Sequence, residues 1–321
     1  MKLSIIIVSW NVQHDLVNCI KSIQDNPPSY DFEIIVVDNN SADNTVKTIE
    51  NLFPDVILVD NKINLGFAAA NNQGIEIAKG QYTLLLNPDT IIHQDSINKL
   101  IEFMDNNCDV GVCGPKLLNR DGSIQRCARR FPTFSAALHR QTIFKITSIF
   151  KGYHRKYNMR DFDHNSQMDV DQIMGAALLV RKSVIDKIGA LDETYFMYYE
   201  EVDFCYRVKQ AGFRVVFTPQ AVITHLGGQS SKQVPVAKRM MQMESMFKYF
   251  RKHRGRFITA AFNIIFKPAV LLGDINIVVC NSILYLFAAT LGNETKKGKN
   301  LARIKNSSLW LKEYTWKLLK A

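Results

Sequence analysis

Three carboxylates lie close together in the segment YYEEVDFCYR. Glu200, Glu201 and Asp203 open a predicted helix, where the helix dipole stabilises anionic side chains without any catalytic role. Crowded carboxylates also raise the proton affinity of at least one of them, which suits a general base. The cluster is therefore either a helix start or a catalytic base. The flanking rings of Tyr198 and Tyr199 offer faces on which a sugar can stack.

Another carboxylate, Asp89, follows a buried apolar run in the segment LLLNPDT. A carboxylate in such a loop can bind a divalent cation, Mg²⁺ or Mn²⁺, that bridges two phosphates. Magnesium typically takes one or two protein carboxylates, and phosphates and water complete its shell. The Asn-Pro-Asp string is weak by itself, because D-x-D strings also occur at 161–163 and 169–171.

Polar residues end several of the predicted strands. Each of three strands is followed by such residues: Ser9 and Asn11, then Asp38, Asn39 and Asn40, then Asn87, Pro88 and Asp89. Turns require the same residue types, so any one cluster could be only a turn. Three clusters at one edge favour a ligand site, because open α/β sheets bind ligands beyond the carboxyl ends of their strands.

The elements that must position these residues follow an alternating order. Strands buried on both faces are predicted at 3–8, 33–37, 56–59 and 83–86, with helices between them at about 12–25, 43–51 and 68–79. This order predicts an α/β fold, a mostly parallel sheet with helices on both faces. The second half is less regular, with predicted strands at 173–180 and 214–217, a helix at 200–211, and a surface excursion over 120–165.

The composition limits the class of protein. The chain has 321 residues, 47% hydrophobic and 22% charged, which excludes wholesale disorder. Six cysteines without a C-x-x-C pair indicate reduced thiols in a cytosolic protein, and neither a disulfide framework nor a zinc site. The apolar start is about eight residues long and lacks a small-residue cleavage site, which predicts a buried strand and not a signal peptide.

Charge is unevenly distributed along the chain. Residues 226–321 hold 17 Lys and Arg against 4 Asp and Glu, whereas residues 1–225 hold 23 against 26. A near-neutral body with a strongly basic tail predicts an anionic partner for the tail. The apolar and aromatic character of the tail favours a lipid surface over nucleic acid.

The tail, residues 231–321, is predicted to be a helical region separate from a catalytic domain at 1–230. A helix begins at Pro235, and the stretch 275–291 has no charge but is at the lower limit for crossing a bilayer. Three residues are expected to stop its extension toward the amino terminus: Lys267, Pro268 and Asp274. A closing helix carries three aromatic residues among lysines, as interfacial helices do: Trp310, Tyr314 and Trp316. We therefore expect shallow insertion at the cytoplasmic face of the cell membrane; packing on the catalytic domain and a dimer interface are the alternatives.

A series of motifs in order resembles the inverting family 2 glycosyltransferases of the GT-A fold, and among them the rhamnosyltransferase-like branch. The matching segments cover about residues 1–252: IIIVSWN (5–11), VVDNNSADNT (36–45), NLGFAAANNQGI (64–75), LLLNPDT (84–90), GPKLLNRDGSIQRCARRFPT (114–133), MGAALLVRK (174–182), LDETYFMYYEEVDFCYR (191–207) and AVITHLGGQSS (221–231). Each segment is weak alone, and the joint pattern is specific.

The resemblance implies a donor site. Asp38 would accept hydrogen bonds from the nucleobase or ribose, and the neighbouring strand-end residues would line the same pocket: Ser9, Asn11 and Asn40. Asn64 and Gly66 would pass close to the nucleotide, since glycine permits close approach of the backbone. Asn87 takes the first position of the metal motif, where it lowers the charge of the site, and Asp89 would bind Mg²⁺ or Mn²⁺. His225 is either a third metal ligand or a plain hydrogen-bonding residue.

The resemblance also implies a catalytic site. The family's Glu-Asp pair has its second member at Glu201, the implied general base, and Glu200 or Asp203 could share that role. Gly175, Tyr198 and Tyr199 would contact the acceptor. The reaction would be a single inverting displacement that moves a sugar from a nucleotide-diphosphate donor to a hydroxyl of a cell-surface glycan or lipid-linked precursor. Deoxythymidine-diphosphate rhamnose is the first expectation for the donor, with UDP-galactofuranose or GDP-mannose as alternatives.

Three other classes of protein are alternatives to a glycosyltransferase. A nucleotidyltransferase would show a glycine-rich basic loop after the first strand, and SWNVQHDL supplies none. A non-catalytic nucleotide-sugar-binding protein on the same fold would be favoured by loss of the metal or base residue, but Asp89 and Glu201 are both present. A membrane scaffold defined by the tail leaves the ordered motifs of the first 230 residues unexplained. A homo-oligomer stays open as an arrangement of the enzyme itself.

Overall fold

The computed structural model describes residues 1–229 and 233–321 and divides the chain into two compact units. The sheet unit comprises residues 1–131 and 161–233, and the helical unit comprises residues 132–160 and 234–321. The helical unit thus takes in an internal segment that the sequence indicated only as a surface excursion. Ser230 and Ser231, at the end of the last motif, lie outside the described residues.

The sheet unit is built on a ten-stranded mixed sheet. Eight strands follow the order β3-β2-β1-β4-β11-β6-β12-β5, while β7 pairs with β6 and β9 with β12. Their bounds are β1 Leu3–Ser9, β2 Phe32–Asp38, β3 Ile57–Asp60, β4 Tyr82–Leu86, β5 Thr90–Ile92, β6 Val110–Leu118, β7 Ile124–Gln125, β9 Met168–Asp169, β11 Ala177–Arg181 and β12 Arg214–His225. β8 (Ala128–Arg129) and β10 (Gln172–Ile173) form a separate two-stranded sheet.

The first four strands are parallel neighbours whose ends coincide. In β1, Ile5, Ile6 and Ile7 are all fully buried, because helices cover both faces of the sheet. The register places Ser9 of β1 opposite Asp38 of β2, and Asp38 opposite Asp60 of β3. The strand-end polar residues therefore share one edge, as the sequence predicted.

β11 runs antiparallel between β4 and β6, so it begins at the edge that carries the strand ends. The predicted strand at 173–180 is in fact two strands, β10 and β11, separated by Met174, Gly175 and Ala176. Their backbone groups bond outside the sheet: Met174 N–H donates to Cys127 O at 2.9 Å, and Ala176 O accepts from Asn87 N–H at 2.9 Å. The interruption thus places the 174–176 backbone beside the loop that follows β4.

The described residues also form eight short helices, which are 7 to 13 residues long. Those of the sheet unit are α1 Gln13–Asp25, α2 Thr45–Leu52, α3 Phe67–Ile77, α4 Ser96–Asp105, α7 Lys182–Ile188 and α8 Glu200–Gln210, and the internal segment of the helical unit adds α5 Phe134–Gln141, a 3₁₀ turn Ile143–Ile146 and α6 Lys151–Tyr157. α8 begins directly after Tyr198 and Tyr199, whose φ angles are 69° and 71°. Two consecutive tyrosines in the left-handed region are strained, and such strain gathers at functional sites.

The helical unit joins the internal segment to three long C-terminal helices. These are α9 Pro235–Arg254, α10 Arg256–Thr290 and α11 Glu294–Lys320. Phe134 of α5 packs on Phe250 and Phe262, with ring centroids 4.4 and 4.6 Å apart. Phe134 therefore links the internal segment to the long helices, a contact that the local sequence pattern does not show.

The expectation that Lys267, Pro268 and Asp274 end the apolar segment was wrong. Pro268 lies inside α10, which is 35 residues long in total. A proline removes one helical hydrogen bond, but burial of residues on both sides of it, such as Phe266 and Val270, holds the helix together. Asp274 is fully buried and pairs with Arg239 of α9 at 2.7 Å.

Among the described residues, α10 is the one helix long and apolar enough to cross a membrane, by length and composition. Its most apolar window has a mean hydropathy of 1.9, and 22% of that window is buried. The buried residues form one seam, which includes Thr259, Phe262, Phe266, Ala269, Val270 and Gly273. α10 therefore packs on one side and exposes apolar side chains on the other.

Candidate active site

The first part of the site is the shared end of β1 and β2. Ser9 and Asp38 are 0% and 1% exposed. Asp38 Oδ2 accepts a hydrogen bond from the Ser41 N–H at 2.8 Å, whereas Asp38 Oδ1 and Ser9 Oγ are buried with no partner among the described residues. Burial raises the pKa of Asp38, although the bonds from Ser41 oppose this. Buried polar atoms normally have partners, so this pair can accept and donate to a bound polar ligand.

Asn39 organises the next loop, a role that the sequence did not indicate. Its Nδ2 donates to Asn64 Oδ1 at 2.8 Å and to Gly66 O at 3.2 Å. Its Oδ1 accepts from the Leu65 N–H at 3.0 Å. One amide thus fixes the backbone of residues 64–66. Nothing in the local sequence distinguished Asn39 from the two neighbours in the same turn.

Asn11 and Asn40 have different surroundings from those of Asp38. Asn11 has a φ of 53° and its Oδ1 accepts from the Ala42 N–H at 2.6 Å, so it holds the turn after β2. Asn40, with a φ of 65°, is exposed. It lies on a polar pocket of about 400 Å³ at the ends of β2 and β3, lined also by Asp43 and Asp60.

Gly66 joins this loop to the aromatic segment before α8. Its φ is +89°, and a Cβ added there would lie 2.5 Å from Phe196 O. The following N–H, of Phe67, donates to Phe196 O at 2.7 Å. The residue must therefore be glycine, and the contact carries the 195–199 segment, with Tyr198 and Tyr199, to the loop that contains Asn64.

The second part of the site is the pair Asp89 and His225. Antiparallel pairing of β12 with β5 sets His225 opposite Thr90, and His225 Nε2 lies 3.3 Å from Asp89 Oδ1. Asn87 Nδ2 is 3.4 Å from the same Nε2. Burial by itself would raise the pKa of Asp89, but the hydrogen bond and charge of His225 and the Gln229 N–H outweigh it, so the pKa lies below its ordinary value.

The donor set of this pair fits a divalent cation. Carboxylate oxygen and imidazole nitrogen both bind Mn²⁺, and two cis ligands at about 2.1 Å from a metal are about 3 Å apart, close to the observed separation. Within residues 1–229 and 233–321, no three His, Cys, Asp or Glu side chains gather as a metal site. The pair is thus a partial set, of the kind that substrate phosphates and water complete.

The third part of the site is the carboxylate cluster at the start of α8. Glu200 is 5% exposed, and Glu200 Oε2 and Glu201 Oε2 are buried with no hydrogen-bond partner among the described residues. Burial raises the pKa of both side chains, and the charge of Glu201 raises the pKa of Glu200 further. The positive charge of Arg129 partly offsets the effect at Glu201. The pKa of Glu200 is therefore raised further than that of Glu201, and the two carboxyl groups titrate as one interacting pair.

Asp203 has a different environment from the two glutamates. It is fully buried, and its Oδ2 accepts from Arg207 Nε at 2.8 Å. Arg207 also donates to the carbonyl oxygens of Ile188 and Ala190, at 2.8 and 2.6 Å. This ion pair anchors α8 to the end of α7 and the loop after it. The carboxylate of Asp203 therefore has a structural role.

The 174–176 backbone connects the second and third parts of the site. A Cβ on Gly175 would lie 3.5 Å from Glu201 Cβ, so the glycine is in direct contact with that side chain. The next residue, Ala176, accepts from the Asn87 N–H. Asn87 and Glu201, more than a hundred positions apart in the chain, are therefore separated by two backbone residues.

Comparison with known proteins decides the family. The family model described as "Glycosyl transferase family 2" matches residues 4–185, more than half of the chain. The chain belongs to glycosyl transferase family 2. The match spans the strand ends with Ser9 and Asp38, the loop at 64–66 and the Asp89 motif, which confirms the predicted family and the glycosyltransferase class of enzyme.

Relatives and solved structures agree with this family 2 assignment. The low-salt glycan biosynthesis hexosyltransferase Agl10 of Haloferax volcanii is 27% identical over 84% of this chain and 78% of its own. The N-acetylglucosaminyl-diphospho-decaprenol L-rhamnosyltransferase of Mycobacterium tuberculosis is 27% identical over 69% of this chain and 76% of its own. The mannosyltransferase of Pyrobaculum calidifontis, solved with GDP-Man and Mn²⁺, aligns over 96% of this chain and 86% of its own, with 14% identity and a TM-score of 0.55. The predicted GT-A fold is confirmed.

Replacing Gly66 by alanine tests the loop at 64–66. We expect Gly66→Ala to weaken nucleoside-diphosphate binding at least about tenfold, because a left-handed backbone and a clash with Phe196 O together cost about 1–3 kcal/mol. Gly122→Ala is the matched control, since Gly122 has a φ of +81° and open space around it. Calorimetric titration with dTDP, UDP and GDP measures the effect. Equal affinities for the two variants would contradict a role of this contact in binding.

Proposed function

We propose that this protein is a metal-dependent inverting glycosyltransferase that moves a sugar from a nucleotide-diphosphate donor to an acceptor hydroxyl. The observation that carries the proposal is the connection of Asn87 and Glu201 through Gly175 and Ala176. It sets a buried carboxylate with a raised pKa beside the loop that presents Asp89. A transfer reaction needs these two functions side by side, one at the leaving diphosphate and one at the attacking hydroxyl.

The donor binds along the strand ends. Ser9 Oγ and Asp38 Oδ1, both buried and without a hydrogen-bond partner among the described residues, would bind the nucleoside, and the backbone of Asn64 and Gly66 would lie along the nucleotide. Asp89 and His225 would hold a Mg²⁺ or Mn²⁺ ion, which supplies neutralisation of the negative charge that builds on the departing diphosphate.

Glu201 acts as the general base. It removes the proton from the acceptor hydroxyl while the oxygen attacks the anomeric carbon, and the diphosphate leaves from the opposite face, so the anomeric configuration inverts. Glu200 stays protonated beside it and adds no second charge. Asp203 holds α8 in place through Arg207. Tyr198 and Tyr199, in their strained conformation, would position the acceptor together with Gly175.

The donor sugar is the least constrained part of the proposal. A rhamnosyltransferase among the relatives supports dTDP-rhamnose as the first donor to test. A mannosyltransferase among the structural neighbours makes GDP-mannose the second donor to test. UDP-galactofuranose is a third choice. The acceptor would be a cell-surface glycan or a lipid-linked precursor. Incubation of the purified chain with a panel of nucleotide sugars, with and without Mn²⁺, identifies the donor by release of its nucleoside diphosphate.

The carboxylate of Asp89 is the first target for mutation. We expect Asp89→Ala to abolish metal-dependent transfer and to leave the circular dichroism spectrum unchanged, because its backbone carbonyl still accepts from the Leu226 N–H. Asp105→Asn is the control, since Asp105 bonds to Tyr82 at the other end of β4. Turnover by Asp89→Ala equal to that of the unmodified chain, at saturating donor and metal, excludes this carboxylate as a metal ligand.

The general base gives a second prediction. Glu201→Gln should lower kcat at least about a hundredfold and change the donor KM little, since the amide keeps the shape of the side chain. Glu200→Gln should cost far less, because an amide resembles a protonated carboxyl. In the unmodified enzyme, kcat should fall as the pH falls through the raised pKa of Glu201, so the acidic limb lies above the ordinary glutamate range. If Glu200→Gln lowers kcat severely and Glu201→Gln lowers it only mildly, Glu200 is the general base.

We further propose that the helical unit holds the enzyme on the inner face of the cell membrane. This unit contains 22 Lys and Arg against 4 Asp and Glu, whereas the sheet unit contains 18 against 26. On α10, five exposed apolar residues recur every seven positions: Ile258, Ile265, Leu272, Val279 and Leu286. This apolar stripe is about 42 Å long at 1.5 Å per residue. Basic charge beside an apolar stripe suits a surface of anionic lipid headgroups.

The helical unit favours an orientation in the plane of the membrane over a span. α11 packs along α10, and Lys267 Nζ of α10 donates to Leu319 O near the end of α11 at 3.0 Å. A span by α10 would draw the Lys and Arg residues of α11 into hydrocarbon, where each charge costs about 2.5–3.5 kcal/mol or more. An in-plane helix buries the stripe and leaves those charges at the headgroups.

Flotation with liposomes tests the membrane proposal. The full chain should float with vesicles that contain phosphatidylglycerol and lose binding at high salt. Leu272→Asn with Val279→Asn should abolish flotation, because both side chains are about half exposed and lie on the stripe. Leu52→Asn with Ile63→Asn, at exposed positions of the sheet unit, is the matched control and should float normally. A full chain that stays in the soluble fraction at low salt contradicts membrane association.

A further inference from the structure

The geometry around His225 points to Gln125 as a positioning residue for the metal site, an inference that rests on the proposed binding of a divalent cation by Asp89 and His225. Gln125 lies in β7, on the hairpin that follows β6. Gln125 Oε1 is 2.6 Å from His225 Nδ1. Gln125 Nε2 is 3.2 Å from His225 O and 2.9 Å from Asn119 Oδ1. A single side chain thus contacts both the ring and the backbone of the histidine.

These contacts fix the orientation of the Gln125 amide. A backbone carbonyl can only accept a hydrogen bond, so the atom that faces His225 O must be the amide nitrogen. The amide oxygen then faces Nδ1, and because that oxygen can only accept, Nδ1 must carry the hydrogen. The Gln125 amide therefore selects the tautomer of the His225 ring, in the way that the partner of the other ring nitrogen does in metal-bound histidines.

The selected tautomer has a direct consequence at Asp89. When Nδ1 carries the hydrogen of a neutral ring, Nε2 has a free lone pair, and this lone pair faces Asp89 Oδ1 at 3.3 Å. Two acceptors at that distance repel each other unless a cation lies between them, either a proton on Nε2, which gives the hydrogen bond to Asp89 described above, or a metal ion that takes its place. The opposite tautomer would place an N–H toward Asp89 and close the site by an internal hydrogen bond. Gln125 thus keeps the Asp89–His225 pair in the form that binds a cation.

Gln125 is also held from behind, through the turn at 119–123. The Asn119 N–H donates to Ser123 O at 2.8 Å, and Asn119 Nδ2 donates to Ser123 Oγ at 3.0 Å. Asn119 Oδ1 is therefore left to accept from Gln125, which keeps the amide from rotating. The hairpin of β6 and β7 is in this way the outer support of the metal site.

The test measures Mn²⁺ binding directly and does not depend on turnover. Free Mn²⁺ is titrated by electron paramagnetic resonance against the full chain, Gln125→Leu, Asp89→Ala and the control Gln81→Leu. We expect Gln125→Leu to weaken Mn²⁺ binding about 10–100-fold, the usual scale for loss of a residue behind a metal ligand. Gln81 bonds to Lys2 at the other end of β4, so Gln81→Leu should bind as the unmodified chain does.

A second measurement on the unmodified chain covers the case in which Gln125→Leu does not fold. Nitrogen-15 spectra of the histidine-labelled chain with Mg²⁺ should show His225 protonated at Nδ1 and not at Nε2. A His225 ring protonated at Nε2, or a Gln125→Leu variant that binds Mn²⁺ as tightly as the unmodified chain, overturns the inference. If the unmodified chain and Asp89→Ala bind Mn²⁺ equally, the metal part of the proposed function fails, and the histidine spectra still decide the tautomer.

Discussion

The antiparallel pairing of β11 with β4 determines how the parts of the site come together. Parallel strands can bring only their own carboxyl ends to one edge, and here they supply Ser9, Asp38 and the loop with Asp89. β11 runs the other way, so its start lies at that same edge. The bond from the Asn87 N–H to Ala176 O then fixes the segment against which Glu201 packs. A parallel β11 would leave its beginning at the far end of the sheet.

Burial without a partner is the common property of the atoms we assign to ligands. Ser9 Oγ, Asp38 Oδ1 and the Oε2 atoms of Glu200 and Glu201 are all enclosed and lack a hydrogen bond among the described residues. Each such atom costs about 1–3 kcal/mol in the free protein. Asp203 is equally enclosed but satisfied by Arg207. The contrast agrees with the proposed roles, in which Glu200 and Glu201 face a substrate and Asp203 holds α8.

Charge divides the two units in the same sense as their proposed tasks. The sheet unit has more acidic than basic residues, although the proposed donor is an anionic nucleotide, and the proposed metal ion at Asp89 would offset this negative charge. The helical unit carries the excess of positive charge, +18, together with the exposed stripe of α10. The proposed attraction to a membrane would thus involve a different unit from the proposed chemistry, and salt would weaken the first more than the second.

The sequence by itself determined the α/β order, the strand ends and the family. Hydrophobic runs such as 3–8 mark strands buried on both faces, and the polar residues after them can only sit at the sheet edge. It could not separate Asn39 from Asn40, because identical neighbours in a turn differ only in the direction the backbone gives them. It missed Gln125, whose partner lies a hundred positions away across a hairpin and β12.

Only the tertiary structure decided the extent of the helical unit and of α10. Residues 132–160 belong to the helical unit through contacts such as those of Phe134 with Phe250 and Phe262, more than a hundred residues later, which no local period records. Pro268 predicts a helix end from its missing N–H, yet packing on both sides of it outweighs one lost hydrogen bond. Local chemistry fixes which residues can act, and long-range packing decides which of them meet.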